Sequence, residues 1–100
     1  MTQVSTLQDG IVSISGDLTF TTVTALCQAI PKYFTATQDV AVDLSAVKNC
    51  DSASLVLLVS ITRFFVAKNK TVTFIHLPQS MLTLVELYNL QQLIVIKKDE

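Results

Sequence analysis

One uninterrupted run, VAVDLSAVKNCDSASLVLLVSITRFFVA from Val40 to Ala67, limits what this chain can become. Val40-Ala-Val-Asp-Leu44 is β-branched and alternating, which predicts a short buried strand. Leu55 to Ala67 holds no Gly or Pro and is apolar almost all round. Such a segment is too long for one ordinary strand and too short to span a bilayer, so a buried helix is expected. Between them Lys48-Asn-Cys-Asp-Ser-Ala-Ser54 is small and polar and predicts a turn. Asp51 and Ser52 stand where the helix would begin. Free backbone N–H groups collect at a helix start and favour an anion or another acceptor. Function is therefore sought first at this turn.

The flanking segments supply the rest of a sheet and its helices. Val4 to Leu7 is a strand candidate, and Asp9-Gly10 is a hairpin signal, because Gly accepts the positive φ of a tight turn. Ile11-Val-Ser-Ile-Ser15 continues as a strand that Gly16-Asp17 is expected to break. Thr21 or Thr22 is a plausible cap for a helix whose stripe is Val23, Leu26, Ile30 and Tyr33 or Phe34. Pro31 should end that helix near Ile30, or kink it and leave one loose turn. Thr35 to Asp39 is a polar connector.

Beyond the long helix, Lys68-Asn-Lys70 is a basic stop that suits the negative end of the helix dipole. Thr71 to His76 alternates as a strand, Pro78 ends it, and Gln79-Ser80 can open a third helix. Leu82, Val85 and Tyr88 form that helix's stripe, with Met81 and Leu84 beside it, and Asn89 closes it. Leu93 to Ile96 is a last short strand. The expected class is α/β: a mixed sheet with three main helices in the order β-β-α-β-α-β-α-β, parallel after the opening hairpin and joined by right-handed crossovers.

Composition excludes several function classes. Within 100 residues, half hydrophobic and 15% charged, one core can form and apolar surface can remain for a partner. The seven basic residues are scattered and the net charge is −1, so there is no footprint for nucleic acid. Two glycines in the whole chain leave no material for a P-loop or a dinucleotide fingerprint. Cys27 and Cys50 are too far apart for a metal knuckle, and with His76 as the single histidine they make too small a donor set for structural zinc. No metal, cofactor or catalytic residue is expected. Met1-Thr-Gln-Val-Ser5 has neither a basic region nor an apolar run, so the expectation is a cytosolic protein with two reduced, mostly buried thiols.

At this point the residues resemble a family. Val42-Asp-Leu-Ser45, then Asp51-Ser-Ala-Ser-Leu55, then an apolar helix are similar to the STAS domain, the fold of anti-sigma-factor antagonists such as SpoIIAA and of sulfate-transporter tails. Ser15-Gly-Asp-Leu18 sits where that family carries a G-D/E-L turn. Leu84-Val-Glu-Leu-Tyr-Asn-Leu90 resembles the late helix of the MlaB-type branch. The resemblance implies one STAS domain over residues 1–100. It further implies a non-enzymatic subunit that binds the ATPase of an ABC transporter for phospholipid trafficking and outer-membrane lipid asymmetry, in the cytoplasm at the inner membrane. The alternative it implies is an antagonist whose serine, here Ser52, is phosphorylated by an anti-sigma-factor kinase. The family's Gly two residues after that hydroxyl is Ser54 here, a departure that counts against close approach of a kinase.

The residues alone allow plainer roles. Asp51 or Ser52 before a helix is the commonest kind of N-cap. A phosphate on Ser52 would meet helix N–H donors but also the charge of Asp51 and Asp17. On the long helix Leu55, Leu58, Thr62, Phe65 and Val66 share one side suited to the sheet. Leu57, Ile61 and Phe64 lie on the next arc, for a neighbouring helix or else a partner. Val56, Ser60, Arg63 and Ala67 form the face expected to be exposed. The candidate partner-binding set is Asp51, Ser52, Ala53, Ser54, Val56, Ser60 and Arg63. His76 reads as structural and Tyr88 as a half-buried core aromatic with its hydroxyl at the rim, while Asp43 reads either as facing solvent at the sheet end or as a hydrogen-bond acceptor for the following turn, and not as a general base. A small-molecule or lipid-binding module is a third reading, resting on the apolar surface alone.

Overall fold

A computed structural model of the chain describes residues 3–4, 10–34 and 38–97. The strands are β1 (Gln3–Val4), β2 (Ile11–Leu18), β3 (Val40–Cys50), β4 (Val72–Ile75) and β5 (Ile96–Lys97). The helices are α1 (Phe20–Gln28), α2 (Ile30–Tyr33), α3 (Ala53–Ala67) and α4 (Gln79–Leu87). The strands lie side by side in chain order. β1 runs antiparallel to β2, and every later pair is parallel. This is the expected mixed α/β sheet, with α2 as the loose turn, which begins at Ile30 and holds Pro31 in its first turn. The Asp9 side of the opening turn lies outside the described residues; Gly10 has φ 77°.

Alternate residues decide which face of the sheet is covered. Val12, Ile14 and Leu18 of β2, Val42 and Leu44 of β3, and Val72 and Phe74 of β4 are buried. Ser13 and Ser15, Ala41 and Asp43, and Thr73 and Ile75 between them are only partly covered. The helices form one layer over the first set. α3 is central to that layer, with Leu55, Leu57, Leu58, Ile61 and Phe65 all buried. Each such side chain contributes roughly 1.5–3 kcal/mol relative to exposure. Leu57 and Ile61 belong to the domain's own core, and Phe64 packs against it. Val66 departs from the expected sheet-facing side and is 64% exposed.

β3 is longer than its alternation suggested. It continues to Cys50, into the first three residues of the segment expected to be a turn, which leaves Asp51 and Ser52 as the turn itself. Its register against β2 slips twice, as Ser13 pairs Asp43 but Ser15 pairs Ala46, and Gly16 pairs Val47 but Asp17 pairs Asn49. Each slip puts an extra residue into β3, a β-bulge, and the first of them shifts the buried parity from Val42 and Leu44 to Val47. The polar residues Ser45, Lys48 and Asn49 are carried by these irregularities. Nor do Gly16-Asp17 break β2: Gly16 takes φ 93° beside the second slip, and the strand runs on to Leu18.

The bulge explains Asp43. A bulge leaves a backbone N–H without a ladder partner, and Asp43 Oδ1 accepts the Ser45 N–H at 2.9 Å. The same oxygen lies 3.3 Å from Nδ1 of His76, so the carboxylate absent near His76 in sequence is supplied by β3. Burial pushes the Asp43 pKa up, but the hydrogen bonds from Ser45 and the histidine outweigh it and hold the carboxyl below its usual value. A depressed folded pKa stabilises the fold above the unfolded pKa of about 3.9, and that contribution is lost as pH falls through the folded value. Asp43→Asn is therefore expected to melt lower than wild type at pH 7, by about 1–2 kcal/mol for a charge-assisted bond. The gap should close in melts run at pH values below the folded pKa of this carboxyl, where wild type too is protonated.

Helix ends follow local chemistry. The cap of α1 lies two to three residues before the expected one: Thr19 precedes Phe20, and its N–H donates to Thr22 Oγ1 at 3.0 Å. α3 and α4 close alike, with Asn69 at φ 59° and Asn89 at φ 56°. In each, the next N–H reaches back five residues: Lys70 to the Phe65 carbonyl at 2.9 Å and Leu90 to the Val85 carbonyl at 3.0 Å. This is the Schellman closure, for which Asn is the natural substitute for Gly. In α4 the buried stripe is Met81 and Val85, not Leu82 and Tyr88. The last strand lies later than expected, at Ile96–Lys97; of Leu93 to Ile96, Leu93 and Val95 are exposed and Ile94 enters the core.

Candidate functional site

The turn from β3 into α3 is organised by one carboxylate. Asp51 Oδ1 accepts the Ala53 N–H at 2.9 Å, and Oδ2 accepts the Phe20 N–H at 3.1 Å. A single side chain thus serves the first turns of both α1 and α3. The Asp51 main chain completes the knot, its N–H donating to the Leu18 carbonyl at 3.2 Å and its carbonyl accepting from Ser54 N at 3.0 Å. The acceptor that the helix start was expected to attract is therefore already present in the chain. Ser52 has helical angles, φ −61° and ψ −20°, and its hydroxyl makes no capping bond. Asp51 is the effective cap, and Ser52 is an exposed hydroxyl beside it.

From Ser52 a groove of about 500 Å³ runs along α3. Its floor and sides are Ser52, Leu55, Val56, Val59, Ser60 and Arg63, with Tyr88 and Leu90 facing them from the end of α4. The α3 residues recur every three or four positions, so they form one stripe of the helix. Val56 is 57% exposed and Tyr88 53% exposed, so the groove's apolar walls are open to solvent. On its α1 side Ser60 Oγ accepts a long bond, 3.8 Å, from the Cys27 thiol. Cys27 and Cys50 are both free thiols and half-buried.

The expected partner-binding set divides on this geometry. Ser52, Val56, Ser60 and Arg63 come together in the groove. Asp51 and Ala53 lie just outside it, in the cap. Ser54 is corrected: it is fully buried, and its hydroxyl donates to the Asp51 carbonyl at 2.8 Å, so it presents nothing to a partner. Tyr88, expected in the core, and Leu90 are groove residues that sequence reasoning missed. The signal was Asn89, since residues flanking a helix-ending Asn leave the helix face. Phe20, 78% exposed beside Asp51, was also given no role.

Solved structures share this architecture. A putative anti-sigma factor antagonist from Thermotoga maritima matches at 17% identity and a TM-score of 0.77, over 99% of this chain and 86% of that one. An anti-sigma factor antagonist from Mycobacterium paratuberculosis matches at 24% identity and a TM-score of 0.74, over 96% and 83%. The anti-sigma factor antagonist SpoIIAA in its unphosphorylated form matches at 14% identity and a TM-score of 0.64, over 100% and 90%. At these identities the likeness is one of fold, and the fold is that of the anti-sigma-factor antagonists. Within it, residues 1–96 match the MlaB STAS-domain model, and the chain belongs to the MlaB-type STAS family. No curated protein sequence matches the chain. Among the described residues, no helix is long and apolar enough to cross a membrane.

Proposed function

We propose that this chain is a non-enzymatic regulatory subunit that docks on the ATPase of an ABC transporter moving phospholipid, and so supports outer-membrane lipid asymmetry. It works in the cytoplasm and meets the inner membrane only through that complex. The observation that carries the reading is the open groove that begins at Ser52 and follows α3, on a chain of the MlaB family. A surface of exposed aliphatic and tyrosyl side chains beside small hydroxyls suits a protein partner, because it combines apolar area with polar groups that fix register. Val56 and Tyr88 supply the area; Ser52 and Ser60 supply the hydroxyls.

The antagonist reading keeps one favourable observation, the exposed Ser52 hydroxyl. Against it, a phosphate there would stand beside the Asp51 carboxylate, which already holds the helix N–H groups. Co-expression with a candidate ABC-transporter ATPase from the same genome separates the two. A stable complex containing unmodified chain, with faster ATP hydrolysis than the ATPase alone, is the expected result. Stoichiometric phosphate on Ser52 from a co-encoded kinase, and no ATPase complex, would replace this reading with the other.

A further inference from the structure

Arg63 stands at the far end of the groove from Ser52, three helical turns along α3. It is exposed, and no carboxylate among the described residues lies within ion-pairing distance of it. The other groove residues are the apolar Leu55, Val56, Val59 and Leu90 and the hydroxyl-bearing Ser52, Ser60 and Tyr88. The lining thus holds one cation and no anion. A partner that covers the guanidinium itself must bring a counter-charge, because a buried cation without a partner is strongly unfavourable.

We propose that the groove receives an amphipathic segment of the partner ATPase whose apolar side chains fill the Val56–Val59–Leu90 region and whose Asp or Glu pairs with Arg63. Charge complementarity selects this occupant. The walls ask for aliphatic side chains, and the planar guanidinium matches a carboxylate in a two-bond geometry. Continuity with the Ser52 turn places the segment in the same docking surface, so the inference rests on the proposed function and adds the chemistry of the partner. It makes Arg63 the residue that sets register and selects among ATPases, while the apolar stripe supplies most of the buried area.

The test is a charge swap. Binding of the partner ATPase is measured for wild type, Arg63→Gln, Arg63→Glu and Ser52→Arg, with circular dichroism confirming that each variant folds. Arg63→Gln should weaken the complex about tenfold and flatten its dependence on NaCl, and Arg63→Glu should weaken it about a hundredfold. In a set of ATPase variants, each with one Asp or Glu changed to Arg, one should restore at least tenfold of the binding lost by Arg63→Glu. If Ser52→Arg destroys the complex while Arg63→Glu binds as wild type, the carboxylate inference fails and the docking reading survives. If both bind as wild type, both fail. Binding to phosphatidylglycerol vesicles that Arg63→Glu abolishes, with the ATPase complex unchanged, would assign the groove to lipid and overturn the inference.

Discussion

A Ser52→Arg variant is expected to fold as wild type does and to fail to co-purify with the ATPase. The first half follows from local geometry. Ser52 is exposed, already has helical backbone angles and contributes no capping bond, so its side chain can be exchanged without disturbing Asp51. Arg is also a good helix former. The second half follows from position. Ser52 is the first residue of the groove, and a long cation there covers the space a partner needs and places a second positive charge on the stripe that ends at Arg63. Loss of more than about a hundredfold in affinity, about 2.7 kcal/mol, takes most complexes below the limit of co-purification. An unchanged Tm with no ATPase retained is the predicted pair of readings. Undiminished complex would remove Ser52 from the interface.

The largest effect on stability is expected at Phe65. Its ring is fully buried and meets Phe34 edge-on at 5.8 Å and Phe64 at 5.8 Å. Its carbonyl accepts the N–H of Lys68 and of Lys70, so the residue sits both in the core and in the closure of α3. Phe65→Ala leaves those backbone bonds and removes the ring, at a cost of about 3–5 kcal/mol. Against a total of about 5–15 kcal/mol for a domain, this is a fall in Tm of roughly 15–30 °C. Val66→Ala is the control. The neighbouring side chain is 64% exposed, so its removal should change stability by less than about 0.5 kcal/mol. Equal losses at the two positions would mean that α3 is rotated from the orientation described here.

These two residues mark how far the sequence could be read. Periodicity placed Phe65 and Val66 on one side of α3, since 100° per residue separates adjacent positions too little to choose between them. Packing against Phe34 of the loose turn after Pro31 makes the choice, and that contact is not local. The order of elements, the parallel pairing and the long helix were legible because Val, Ile and Leu recur with clear periods and Asn89 and Pro78 mark boundaries. The STAS resemblance rested on motifs such as that from Asp51 to Leu55 and the MlaB-type branch on Leu84 to Leu90, and the family model covers residues 1–96. The far half of β3 was illegible for a physical reason: two bulges break the two-residue period and bring Ser45, Lys48 and Asn49 into a strand. Asp51 was read as one of two possible caps, but its service to two helices joins Phe20 to Ala53 across the chain. Ser54 shows the same limit. A small polar residue in a polar stretch reads as surface until its hydroxyl finds a buried carbonyl.

The central claim is that a partner closes the groove between the start of α3 and the end of α4. Hydroxyl-radical footprinting of the free chain and of its ATPase complex tests it most directly, because two exposed tyrosines report on different surfaces. Tyr88 lies in the groove, and Tyr33, 41% exposed, lies on α2 outside it. The account predicts that oxidation of Tyr88 and Val56 falls sharply in the complex while Tyr33 reacts as in the free chain. Equal oxidation of Tyr88 in both samples, in a complex shown to be intact, would contradict it.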